Sequence, residues 1–276
     1  MTSPHVPIHG NYRGYYTKRP SAHDPRLSLL PDGLFSGKRV LDIGCNEGWV
    51  TCEIAQLGVE QVVGVDVDDT LIRAAWRRRR TVWSRQGITE QEMAVKGRQP
   101  DLSRLTHVTG QGAPDFNYFP SAFEHMFGPL PIPPRESGTN GHFPHNVIFR
   151  TADWLKTRIV EDENGYDVVL ALSITKWIHL NEGDDGILCL FRRVFSVLHP
   201  GGAFVLEPQE WETYAKAKRL DNRLKENAKQ LTLRPDNFRN VLEGIGFTFI
   251  QNLGTTGKGG LVSQTSSYVS KTSAVE

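Results

Sequence analysis

The chain has 276 residues and a formal net charge of +1, with 38% apolar and 23% charged side chains, the balance of a globular protein with a sizeable core. That charge excludes binding of nucleic acid through bulk positive charge, and no apolar run approaches the roughly 20 residues of a membrane-crossing helix. Three cysteines, Cys45, Cys52 and Cys189, form neither an even disulfide set nor a metal-ligand spacing, so a reducing compartment, nucleus or cytoplasm, is expected and no metal site is. Met1 to His5 has neither the basic start nor the apolar core of a signal peptide. Residues 1–35 are polar and rich in Tyr, Pro and Arg; they read as an arm that folds over a ligand or, equally, as a disordered tail. From residue 36 onward, strand and helix patterns alternate. Strands are expected at Lys38 to Ile43, Gln61 to Asp66, Asn146 to Arg150, Tyr166 to Leu172 and Ala203 to Pro208, with closing strands at Gly246 to Leu253 and Ser267 to Lys271. Helices are expected from Trp49, over Thr70 to Arg85, over Asp184 to Leu198, as a basic helix after Pro208, and around Asp236 to Gly244, with His199-Pro200-Gly201-Gly202 stopping the third. The alternation predicts an α/β fold with a mostly parallel sheet and helices on both faces. From about Gly87 to His145 prolines and glycines break the pattern, the mark of a long functional insertion or a disordered loop within residues 36–276, much of it expected to be mobile.

Val40-Leu41-Asp42-Ile43-Gly44-Cys45-Asn46-Glu47-Gly48 is the most informative stretch. An apolar run delivers an acid, then a loop with two spaced glycines, then a helix. It lacks the three glycines of the dinucleotide fingerprint. Its D-x-G-x-x-x-G spacing resembles motif I of the S-adenosylmethionine-dependent methyltransferases, a Rossmann-like class I fold whose ligand has no pyrophosphate to cradle. Asp66, at the tip of the next strand, suits two ribose hydroxyls; an ordinary cap residue is the alternative. Asp153, after the third strand, suits an adenine amino group or a helix N-cap. Lys176 and His179 follow the fourth strand at helical spacing and together can hold a phosphate, unless the Lys snorkels and the His simply packs. Trp211 or Tyr214 can stack on a base, with Lys216, Lys218 and Arg219 behind them to track a backbone. The arginines of 73–80 form a second basic helix, which is a phosphate contact or a solvated face.

Together these segments resemble the bicoid-interacting family of RNA methyltransferases, of the methylphosphate capping kind. The carrying residues are Gly10-Asn11-Tyr12 with Tyr15, Tyr16 and Arg19, Asp24 with Arg26, Leu41 to Asn46, Ser173-Ile174-Thr175-Lys176-Trp177-Ile178-His179-Leu180-Asn181, and Leu206-Glu207-Pro208-Gln209 with Trp211 and Tyr214. The resemblance implies a role for each. Tyr16, Arg26, Asp42, Gly44, Asn46 and Gly48 would embrace the methionine end of S-adenosyl-L-methionine, with Leu172 beside them. Asp66 and Val67 would take the ribose. Asp153 and Trp154 would meet the adenine, although the family carries Asn-Tyr there. Tyr15, Arg19, Lys176 and His179 would hold the RNA terminus, and Glu207, Gln209, Trp211 and Tyr214 would line the approach to it. The implied reaction is methylation of the 5′ γ-phosphate of a small non-coding RNA, leaving S-adenosyl-L-homocysteine. A 5′-monophosphate acceptor, or a largely non-catalytic scaffold within a ribonucleoprotein, is the alternative. A La-related protein partner, a nuclear location and a monomeric chain are further expectations.

Overall fold

β-branched residues and leucines fill both faces of a buried parallel sheet, and here they build seven strands: β1 (Arg39–Ile43), β2 (Gln61–Asp66), β3 (Val147–Thr151), β4 (Tyr166–Leu172), β5 (Leu198–Glu207), β6 (Phe247–Thr256) and β7 (Ser263–Ser270). A computed structural model describes residues 6–12, 16, 23–85, 126, 128–135, 142–256 and 263–270. The strand order is β3-β2-β1-β4-β5-β7-β6. β1 to β5 run parallel, and β7 lies antiparallel to both β5 and β6. The α-helices are α1 (Trp49–Ile54), α2 (Asp69–Arg85), α3 (Thr175–Val197), α4 (Tyr214–Ala217), α5 (Asn222–Gln230) and α6 (Phe238–Ile245).

The period of two along each strand sorts the core into two layers. Val40, Val168 and Leu170 join Ile54 of α1 and Ile72 and Ala75 of α2. Leu41, Val169 and Ala171 join Ile187, Phe191 and Val194 of α3 and Phe238 of α6. Sequence order reverses between β1 and β4, so the loops leaving the carboxyl ends of those strands diverge and leave a crevice.

Two details differ from the sequence reading. The amphipathic pattern from Asp184 is only the second half of α3, which starts at Thr175 and is broken at Gly183 (φ 71°, ψ −168°). His199-Pro200-Gly201-Gly202 lies inside β5, where the pairing jumps from Tyr166↔Leu198 to Val168↔Ala203; the turn residues form an excursion in a strand rather than a loop before it. Most of the 87–145 stretch, and the end of the strand expected to reach Lys271, lie outside the described residues. Among the described residues no helix is long and apolar enough to cross a membrane.

Candidate active site

Behind β1 the chain turns on Gly44 (φ 76°), Asn46 (φ 51°) and Gly48 (φ 72°). Glycine is required at 44 by backbone and space alike, since a Cβ there would overlap Cγ2 of Ile174. Asp66, the last residue of β2, accepts the amides of Asn46 (2.9 Å) and Asp68 (3.0 Å). Burial pushes its carboxyl up to about 6 against those two donors. Beside it opens a cavity whose lining includes Gly44, Asp66, Val67, Asp153, Trp154 and Ile178. The walls are apolar at Val67, Trp154, Leu155, Ile174 and Ile178, and acidic at Asp66, Asp153 and Glu182. Among the described residues no Lys or Arg lines it. Such a cavity accepts hydroxyl and amino donors and a flat apolar ring, and it repels phosphate.

Residues 8–12 cross above this crevice as a strap. Asn181 Nδ2 donates to the Ile8 carbonyl (2.8 Å), Asn11 Nδ2 to Asp68 (2.7 Å) and Asn46 Nδ2 to the Tyr12 carbonyl (3.3 Å). Gly10 sits so close to the Trp177 ring that a Cβ would overlap it, and His9 lines the cavity. Asn11 Oδ1 is buried with no hydrogen-bond partner, an acceptor held over the site.

A buried ionic cluster flanks the loop. Arg26 is 3% exposed. It donates Nε and Nη2 to Asp24 (2.8 and 2.7 Å), Nη2 to the Tyr16 hydroxyl (3.0 Å) and Nη1 to Glu207 (2.9 Å). One Nη1–H is left for a ligand. Tyr16 stacks on Trp49 at 5.4 Å. Asp42 accepts the Thr51 hydroxyl (2.6 Å), and burial pushes it up to about 6.

The turn from β4 into α3 explains the Glu-Pro-Gln run. Ser173 adopts a left-handed φ of 59°, a strained conformation for a side-chain-bearing residue. It is held from β5: Ser173 Oγ donates to Glu207 (2.6 Å), and Gln209 Nε2 donates to the Ser173 carbonyl. Gln209 Oε1 accepts the Lys176 amide (2.9 Å) and the Thr175 hydroxyl (3.1 Å). Lys176 therefore starts α3 in a fixed place, with Nζ 3.2 Å from Thr213 Oγ1. Burial, with Lys216 nearby, pushes its ammonium down to about 8.

The geometry revises several of the sequence expectations. His179 was expected to hold a phosphate, but its side chain is 0% exposed. Nε2 lies 2.7 Å from Asp184 and Nδ1 3.2 Å from the Tyr214 hydroxyl. Against burial, hydrogen bonds from Thr232 and His179 bring Asp184 down to about 2, so Asp184 is a carboxylate, Nε2 carries the proton, and Nδ1 accepts from Tyr214. Burial lowers the His179 pKa against the pull of Asp184. A neutral imidazole with both nitrogens used offers nothing to an anion here. Glu207 (2% exposed), Gln209 (9%) and Tyr214 (2%) were expected at the RNA approach but are enclosed as braces. Trp211 is half-buried against Tyr214 at 4.6 Å, Lys216 and Arg219 are exposed, and Lys218 is half-buried. Trp154 is buried and donates Nε1 to Asp162 (3.2 Å); Leu172 ends β4 within the core. Tyr15 and Arg19 lie outside the described residues. Asp184 and Arg234 were missed, because neither sits in a motif and only the Gly183 break hinted at Asp184; Asn11 was read as part of the Gly10-Asn11-Tyr12 run but given no role of its own.

A parallel sheet of this order, a glycine loop after β1 and an acid ending β2 define the class: a class I S-adenosylmethionine-dependent methyltransferase. The general methyltransferase domain matches residues 41–109, and the family described as Bicoid-interacting protein 3 (Bin3) matches residues 166–267. The chain is 33% identical over 257 residues to the U6 snRNA methylphosphate capping enzyme of Drosophila melanogaster, covering 89% of this chain and 68% of that protein. It is 36% identical over 257 residues to the 7SK snRNA methylphosphate capping enzyme of Homo sapiens, covering 90% of this chain but only 37% of that protein. The N-methyltransferase NodS of Bradyrhizobium japonicum shares the fold at a TM-score of 0.50 and 12% identity, covering 89% of this chain and 91% of that one. The chain belongs to the Bin3 family of methyltransferases.

Proposed function

We propose that this protein transfers a methyl group from S-adenosyl-L-methionine to the 5′ γ-phosphate of a small non-coding RNA. One observation carries the reading. The nucleoside cavity is acidic and free of Lys and Arg among the described residues, whereas Lys176, beside Thr213, is a cation with no carboxylate at ion-pair distance among those residues. A cationic donor and an anionic acceptor call for that separation of charge.

The cavity fits the donor: Asp66 for the ribose hydroxyls, Asp153 for the adenine amino group, and Val67 and Ile178 for the ring faces. When bound there, S-adenosyl-L-methionine supplies an electrophilic methyl group. The chain's own residues do the rest by placement. A phosphate end sheds its last proton near pH 6 and needs no general base. Lys176 offsets its charge, and at a pKa of about 8 it does so without the permanent grip of a guanidinium on the attacking oxygen. Gln209 and Glu207 keep the Lys176 turn from moving, which is where positioning acts on rate. The Drosophila and human relatives are named for capping different RNAs, which supports the reaction without naming the RNA.

The test is incubation with tritiated cofactor and RNA bearing a 5′-triphosphate, a 5′-monophosphate or a 5′-hydroxyl. Label on the triphosphate end is expected. Equal label on 5′-hydroxyl RNA, or none on any end, overturns the proposal. Cofactor affinity should also depend on pH. With Asp66 at about 6, protonation below that value removes the charged acceptor, so affinity is expected to fall by up to about 10-fold between pH 7 and 5. Asp66→Asn, followed by calorimetry, should be weak at both values and lose the step.

A further inference from the structure

We infer that Arg234 is a phosphate-binding residue for the RNA end, carried into place by the Asp184–His179 latch. The inference rests on the reading above and adds a residue that no motif marks. Arg234 lies between α5 and α6, far in sequence from Lys176, yet its guanidinium carbon sits 3.6 Å over the Trp211 ring. It is exposed, and among the described residues no carboxylate pairs with it at ion-pair distance. Several other arginines differ: Arg26 is paired with Asp24 and Glu207, Arg150 with Glu161, Arg193 with Asp162. Lys216, exposed, acts electrostatically on Lys176, and Arg234 acts on His179. Arg234 over Trp211 and Lys176 at Thr213 thus flank one short turn, with Lys216 following it in sequence, and none of the three has a carboxylate at ion-pair distance among the described residues.

A guanidinium stacked on an indole keeps its edge N–H groups free, so the fork stays available to a phosphate while its plane is fixed. The latch explains how the turn is fixed. The break at Gly183 frees Asp184 to accept the amides of Thr232 (2.9 Å) and Leu233 (3.0 Å) as well as His179 (2.7 Å). The same His179 holds Tyr214, on which Trp211 rests. One carboxylate therefore sets both the Arg234 turn and its aromatic floor. His179 and Asp184 are positioning residues; Arg234 is the one that touches RNA. Positive groups flanking one turn suit an end with several negative charges, so the contribution of Arg234 should grow with the number of terminal phosphates.

The experiment measures binding and methylation with 5′-triphosphate, 5′-monophosphate and 5′-hydroxyl forms of one RNA, across salt concentration. Arg234→Ala is expected to raise KM for triphosphate RNA about 10-fold, to reduce the slope of log affinity against log salt by roughly one, and to matter least for 5′-hydroxyl RNA. Arg234→Lys should restore the slope but only part of the affinity, since a lysine gives charge without the stacked fork. Lys38→Ala, exposed just before β1 at the amino end of that central strand, controls for loss of a positive charge. An unchanged KM and slope in Arg234→Ala, or an equal loss on 5′-hydroxyl RNA, overturns the inference. If the unaltered protein binds triphosphate RNA but never labels it, the capping proposal fails, and the binding slopes still decide the role of Arg234.

Discussion

Lys176→Ala is expected to lower methyl transfer to 5′-triphosphate RNA by 100-fold or more, the cost typical of removing one preorganised charge from a reaction site, while leaving cofactor affinity nearly unchanged. The argument is one of placement. Lys176 does not line the nucleoside cavity, so truncating it spares the donor. It is half-buried, its amide is anchored by Gln209, and among the described residues only Thr213 engages its ammonium by hydrogen bond. The pH dependence follows from its value of about 8. Below that pH the side chain is charged and serves the acceptor; as pH rises through it, the free enzyme loses the charge and KM for RNA should climb. Lys176→Arg should lose that alkaline rise, because a guanidinium stays charged, at a reduced rate from altered geometry. Single-turnover labelling from pH 6.5 to 9.5 checks both, and a Lys176→Ala protein with more than half the original rate would sink the assignment.

Arg26→Ala should be the most destabilising simple change near the site, by about 3–5 kcal/mol. The substitution strands Asp24 and Glu207 without the cation that pairs them, with side chains only 7% and 3% exposed. It also removes the donor that holds Tyr16. For a chain of this size the expected fall in Tm is on the order of 10 °C. Glu207→Gln keeps the shape and should cost less, yet it weakens the hold on Ser173, whose left-handed turn depends on that carboxylate. Thermal unfolding of both variants without cofactor measures the difference; an Arg26→Ala protein melting within about 2 °C of the original contradicts the account.

The sheet was legible because its signal is local. Val62 to Val65 and Val168 to Leu172 are compact apolar runs, and both strands, Gln61–Asp66 and Tyr166–Leu172, begin and end where the sequence places them. β5 was less so: a Pro-Gly-Gly normally ends pairing, and only the bulge opposite Asp167 lets the strand resume. The glycine loop, Asp66 and Asp153 were likewise readable, since their chemistry is set by position at a strand tip. His179 and Gln209 were misplaced for the opposite reason. A polar residue in a motif reads as a ligand contact, and whether it faces the cavity or a neighbour depends on partners as distant as Asp184 and Ser173. Arg234 had no local signal, because its meaning comes from Trp211, which is brought to it only by the fold.

The strap of residues 8–12 sets how the donor comes and goes. Three side-chain hydrogen bonds hold it, from Asn181, Asn11 and Asn46, each contributing about 1 kcal/mol net. A closure of roughly 3 kcal/mol leaves on the order of one molecule in a hundred open at any instant. Closure of that size would shelter a reactive sulfonium from solvent and still let spent donor leave by thermal opening of the chain.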